Sequence, residues 1–143
     1  MDHVVYLDAK AKELAKILSG EKKMIIRGAA GRKMPYDRVH TGDRLYFTVN
    51  DGNGKIQAAA DVIDVYQSAK MSVTESQELV AQNQDKLCLS AAQTERWAGK
   101  KFLVLVTIGA AVSLPPFAID RSAFGNMDDW LLVEDIQPLI LKD

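Results

Sequence analysis

The sequence is short of the residues from which many small proteins build their chemistry. It has one cysteine, Cys88, so no disulfide within the chain is possible. A reducing compartment is the natural expectation for such a chain. Cys88 lies between leucines and reads as a small buried hydrophobe. There are only two histidines, His3 and His40, far apart and without Cys-x-x-Cys or His-x-x-x-His spacing. No metal site is therefore expected. No Gly-x-Ser-x-Gly elbow and no Walker A loop occur, and no catalytic residue or cofactor is assigned. Long apolar runs are also lacking. Phe102–Val106 and Ile108–Leu114 are interrupted by Thr107 and Ser113 and together fall short of the ~20 residues of a membrane helix. The opening Met-Asp-His-Val-Val-Tyr has no basic region followed by an apolar core. A cytoplasmic protein with no membrane partner is expected.

What is present fits one domain, residues 1–143, with 48% hydrophobic and 26% charged residues. That length buries a core without covalent help. Net charge is −1, yet Lys22, Lys23, Arg27, Arg32, Lys33, Arg38 and Arg44 face only Asp37 and Asp43 within residues 22–44. A local surplus of five positive charges on an acidic body points to an anion site.

The pattern of elements is mixed. His3–Leu7 reads as a strand and Asp8 as the cap of a helix over 9–19, ended by Gly20. Lys23–Arg27 reads as a strand and the glycines and proline of 28–35 as a loop. Arg44–Asn50 and Lys55–Tyr66 flank Asp51-Gly-Asn-Gly, a hairpin signal, and the second strand is long enough to need a bend or bulge. Ser72-Val-Thr-Glu75 and Ser90-Ala-Ala-Gln93 have capping-box spacing and predict two helices, the second ending at Gly99. Lys101–Ile108 reads as a strand buried on both faces, broken by Pro115-Pro116, and Trp130–Ile136 as a last strand. The fold class that follows is α+β, a small, mostly antiparallel β-barrel flanked by helices.

Three features carry candidate chemistry. The glycines of Gly28-Ala-Ala-Gly31 would let backbone N–H groups face an anion, with Arg32 and Lys33 adding charge. Arg27 ends an apolar strand on the face of Ile25, and a charge on a core-facing row needs a carboxylate or a ligand. Asp43, Asp61 and Asp64 are the candidate internal partners; a bound anion or base edge is the alternative. Tyr36, inside the basic stretch, and Trp130 are candidate stacking rings, with core packing as the competing role of Trp130.

The segment Ile17-Leu-Ser-Gly20-Glu-Lys22-Lys-Met-Ile-Ile-Arg27 resembles the opening signature of ASCH domains of the PUA-like superfamily, and Gly42-Asp43-Arg-Leu resembles the strand start that follows it. The ending Phe117–Gly125 and Trp130-Leu-Leu is similar to EVE-like relatives. The resemblance implies a barrel with a cleft lined by the strand Lys22–Arg27, and binding of RNA or modified nucleobases. Some ASCH proteins are amidohydrolases of acylated nucleosides that use a lysine, a threonine and a glutamate. The lysine position is Lys22, but the threonine position holds Ile25 and no glutamate can be matched. The leading expectation is thus a binding module for RNA or a modified nucleoside or nucleotide. Lys22, Lys23, Arg32, Lys33 and Arg38 would meet phosphate, Arg27 a base edge or phosphate, and Tyr36 or Trp130 would stack. An amidohydrolase using Lys22 and an aspartate, and a protein-interaction module, are the rivals.

Overall fold

The computed structural model describes residues 1–124 and 129–141. Seven strands and four helices follow the chain as β1 (Asp2–Leu7), α1 (Glu13–Leu18), β2 (Met24–Ala29), β3 (Arg44–Val49), β4 (Ile56–Gln67), α2 (Val73–Gln82), α3 (Gln84–Leu87), α4 (Ala91–Trp97), β5 (Phe102–Ile108), β6 (Val112–Phe117) and β7 (Trp130–Glu134). A 3₁₀ turn over Gln137–Leu139 comes last. The α+β class stands.

The strands form one sheet in the order β2-β5-β4-β3-β1-β7, with β6 on β4. Pairing is antiparallel except between β1 and β3, which run parallel. β4 makes the sheet bend. Its first half pairs with β3 and β6 and its second half with β5, and the register shifts between Val62 and Asp64. The bulge anticipated for this long strand is there. The closed barrel is not seen as a ladder: no pairing of β2 with β7 occurs among the described residues, and a seam runs between those two strands.

The alternation along β2 explains the layering. Ile25 faces a core that includes Val5, Phe47, Val106 and Trp130. Its neighbours Met24 and Ile26 face the other way, onto Val80, Leu87, Leu89 and Trp97 of the helical segment. The helices thus cover the outer face of β2 and β5, which is why both strands are apolar on both sides.

Both capping boxes form. Ser72 accepts from the Glu75 N–H and Ser90 from the Gln93 N–H, with the reciprocal bonds in place. Gly20 and Gly99, at φ +84° and +103°, stop their helices where expected. Three local expectations change. Asp8 caps a turn instead of a long helix: its Oδ1 accepts from the N–H groups of Lys10 and Ala11, and the helix begins only at Glu13, after left-handed Lys12. Strand β2 runs on through Gly28 to Ala29, so Gly28 belongs to the sheet and not to the loop. Pro115 and Pro116 lie within β6, an edge strand that pairs on one side only, where missing N–H groups are tolerated.

A cleft at the open seam

Arg27 projects from β2 across the seam. On the Ile25 face it turns inward, and only 7% of it is exposed. Its Nη1 donates to the Ile26 carbonyl and its Nη2 to the Tyr6 carbonyl on β1, each at 2.8 Å. Two backbone oxygens from opposite sides of the seam therefore fix the plane of the guanidinium. Its Nε lies 3.2 Å from Asp129 Oδ2 but is not aligned with it and makes no hydrogen bond among the described residues. The internal carboxylate that Arg27 required is Asp129, just before β7. Two of the aspartates proposed from sequence have other partners: Asp43 holds His3, and Asp61 holds Arg44.

Two indole rings flank the guanidinium. The Arg27 Cζ is 5.7 Å from the ring centroids of both Trp97 and Trp130, within cation–π range. Arg96 lies over the outer face of Trp97 at 4.3 Å, and its Nη2 is 3.5 Å from the same Asp129 oxygen that faces Arg27. The end of α4 thus presents Arg96 and Trp97 to the end of β2, and β7 presents Asp129 and Trp130.

These residues border a cleft of about 260 Å³, completed by Gly28, Lys33, Met34 and Lys100. Among the described residues, four cations line it against one carboxylate. Its floor depends on Gly28 having no side chain. A Cβ there would stand 2.5 Å from Leu103 Cδ2, 3.1 Å from the Phe102 carbonyl oxygen and 3.2 Å from Lys100 Cβ.

Trp130 is also tied from behind. Its Nε1–H donates to His3 Nδ1 at 3.0 Å, and His3 Nε2 is 2.8 Å from Asp43 Oδ2. An indole N–H only donates, so Nδ1 carries no proton and Nε2–H donates to Asp43. His3 is fully buried, and burial holds its pKa below the usual value although Asp43 pulls the other way. Asp43 loses solvation too, but hydrogen bonds from His3 and from the His40 N–H bring its carboxyl below the ordinary range.

Of the eight residues singled out from sequence, Arg27, Lys33 and Trp130 border this cleft. Lys22 is placed differently. It is 1% exposed; its Nζ donates to the Leu87 carbonyl and lies 3.6 Å from Glu13 Oε2. Burial lowers its pKa, and Glu13 offsets part of that. In this arrangement it is an internal counter-ion, not a surface charge. Lys22 and the exposed Lys23 border a second cavity of about 320 Å³ between the end of α1 and residues 108–111. Tyr36 donates its hydroxyl to the Ser68 carbonyl and sets its ring edge-on to Phe102, with Arg32 5.6 Å above it. Arg32 and Arg38 are exposed.

Sequence reasoning missed Arg96, Trp97, Lys100 and Asp129. A signal existed in Arg96-Trp-Ala-Gly-Lys-Lys101, a second cationic and aromatic run that straddles the end of a helix. Among the described residues, no cluster of His, Cys, Asp or Glu could hold a metal ion. No helix among them is long and apolar enough to cross a membrane.

No family model matches the sequence, and no curated protein matches it significantly. Solved structures do. The chain superposes on ASCH from Zymomonas mobilis with a TM-score of 0.67 and 17% identity, over 92% of this chain and 87% of that one. A tyrosine-to-phenylalanine mutant of the same protein gives 0.67 and 16%, over 92% and 89%. A serine-to-alanine mutant gives 0.67 and 17%, over 92% and 87%.

Proposed function

Taking as premise that this chain has the ASCH, PUA-like fold, we propose that it binds RNA or a modified nucleotide in the cleft at the β2–β7 seam. On this reading the bent sheet is a PUA-like barrel whose unpaired seam is the binding mouth. The observation that carries the proposal is Arg27. It is a buried guanidinium fixed in plane by two carbonyls and set between two tryptophans, its Nε–H 3.2 Å from Asp129 Oδ2 but without an aligned hydrogen bond among the described residues. A buried donor held only by a misaligned ion pair is costly, and a ligand oxygen or ring nitrogen would satisfy it better. Lys33, Arg96 and Lys100 supply charge at the rim. Exposed Arg32 and Arg38, on the segment that carries Lys33, extend the positive surface along a strand. The volume lies just under the ~300 Å³ at which small-molecule pockets begin. It suits one nucleotide unit with the rest of a strand outside.

Fluorescence-anisotropy titration with short single-stranded and duplex RNA and DNA at two salt concentrations tests the reading. Binding that weakens with salt, with a log–log slope of about −0.7 per phosphate contacted on a single strand, supports it. Arg27→Ala should weaken binding tenfold or so while the protein stays folded. Absence of binding at low salt to every strand and nucleotide would remove it.

One observation favours a second reading, an amidohydrolase of acylated nucleosides. The pKa of Lys22 is lowered, as a lysine acting as a base requires. Its amine is already committed to Leu87 and Glu13, however, and the chain has Ile25 where a threonine would be needed. A panel of acylated nucleosides incubated with concentrated protein decides it by turnover.

A further inference from the structure

The carboxylate of Asp129 sits where a ligand's negative charge would sit. A single oxygen, Oδ2, is shared between Arg27 Nε at 3.2 Å and Arg96 Nη2 at 3.5 Å. Neither contact is bidentate, and Nε has no proper hydrogen bond among the described residues. Among the described residues, one carboxylate thus stands against two guanidiniums, with Lys33 and Lys100 beside them and no second acid in the lining. This is an anion seat filled by a group too small for it. Building on the proposed nucleotide reading, we infer that the ligand presents a terminal phosphate, a phosphomonoester, and that Asp129 is the carboxylate this phosphate displaces.

The chemistry favours a monoester over a diester. A phosphomonoester carries a charge of about −1.5 to −2 near neutral pH and has three terminal oxygens. It can accept from Arg27 and Arg96 at once and still meet a lysine, whereas a diester has one charge and two free oxygens. Arg27 is already locked by the Ile26 and Tyr6 carbonyls, so little ordering of this group remains to be done on binding, while the more exposed Arg96 rests on Trp97. Asp129 is free to leave. Its side chain is 41% exposed, while its backbone is tied to the sheet by the bond from the Tyr6 N–H to its carbonyl oxygen. The carboxylate can turn out to solvent without moving the strand.

Both tryptophans of the chain line the cleft, so tryptophan fluorescence reports on this site. Wild-type protein, Asp129→Asn and Arg96→Ala are each titrated with a nucleoside, its 5′-monophosphate, inorganic phosphate, and a single strand with and without a 5′-phosphate. The monophosphate is expected to bind at least about tenfold more tightly than the nucleoside, the worth of one charge-assisted hydrogen bond. Asp129→Asn should strengthen monophosphate binding several-fold, and Arg96→Ala should weaken it.

A phosphorylated strand that binds more tightly than both the monophosphate and the unphosphorylated strand identifies a strand end as the source, and a phosphorylated strand that only equals the monophosphate identifies a free nucleotide; both support the seat. Equal binding of nucleoside and monophosphate, or weaker phosphate binding by Asp129→Asn, overturns it. Tight strand binding that ignores the 5′-phosphate also overturns the seat but leaves the nucleic-acid reading intact. Phosphate bound with no gain from an attached nucleoside supports the seat and overturns the nucleic-acid reading.

Discussion

The indole N–H of Trp130 ends on the unprotonated Nδ1 of His3, so a wall of the cleft hangs on the protonation state of a fully buried histidine. A second proton on the ring would place an N–H against an N–H. The pKa of His3 is depressed, so the unfolded chain binds this proton before the folded one does. Stability from this group is complete above about pH 6.5 and is lost as pH falls through the lower folded value, by at most about 1.4 kcal/mol per pH unit. Urea denaturation at steps from pH 7.5 to 5 should show this decline. His3→Gln, which can still accept from the indole and donate to Asp43, should flatten it. The depressed carboxyl of Asp43 contributes in a more acidic range, below about pH 4.

The buried pair of Lys22 and Glu13 makes a separate prediction. Glu13→Gln leaves an ammonium enclosed with one carbonyl and no counter-charge, and should cost about 3 kcal/mol or more. Lys22→Met strands the carboxylate instead. The double variant should recover much of either loss, since replacing both charges of a buried pair is often near neutral. Denaturation midpoints for the four proteins give the coupling directly.

Gly28→Ala should destabilise the protein by about 1–3 kcal/mol, because Leu103, the Phe102 carbonyl and Lys100 all stand within 3.2 Å of the new methyl group. The floor of the cleft would be displaced as well. A lowered melting temperature together with weakened ligand binding is the expected result.

The two capping serines separate stability from site geometry. Ser72→Ala and Ser90→Ala should each cost about 1 kcal/mol. Only α4, which Ser90 starts, ends in Arg96 and Trp97. Binding measured well below the melting temperature should therefore fall for Ser90→Ala and hold for Ser72→Ala.

Local chemistry was legible in the sequence, and convergence was not. Ser72 with Glu75, Ser90 with Gln93, Gly20, Gly99 and the bulged β4 announce themselves because their causes lie within a few residues. The inward turn of Arg27 also followed from simple alternation with Ile25. Its partner did not, because only the β1–β7 pairing carries Asp129 to the end of β2. The same holds for Arg96 and Lys100: counting charge over 22–44 passed by a shorter cationic run that α4 folds onto the same place. Lys22 shows the opposite error. A lysine in a basic stretch reads as surface, yet the reversal after Gly20 carries its stem beneath α3, where Leu87 and Glu13 receive it. Pro115 and Pro116 misled because their cost depends on edge or centre, which is a property of the sheet and not of the sequence.

The seam has a mechanical consequence. Among the described residues β7 is laddered on one side only, to β1, and across the seam the molecule is spanned by side-chain contacts: Arg27 to the Tyr6 carbonyl and Arg27 to Asp129. A phosphate gripped from both banks would act as a rivet, supplying the cross-link that backbone pairing omits. Recognition and stiffness would then draw on the same free energy, and the tightest ligands would be those that most slow amide exchange along β2 and β7.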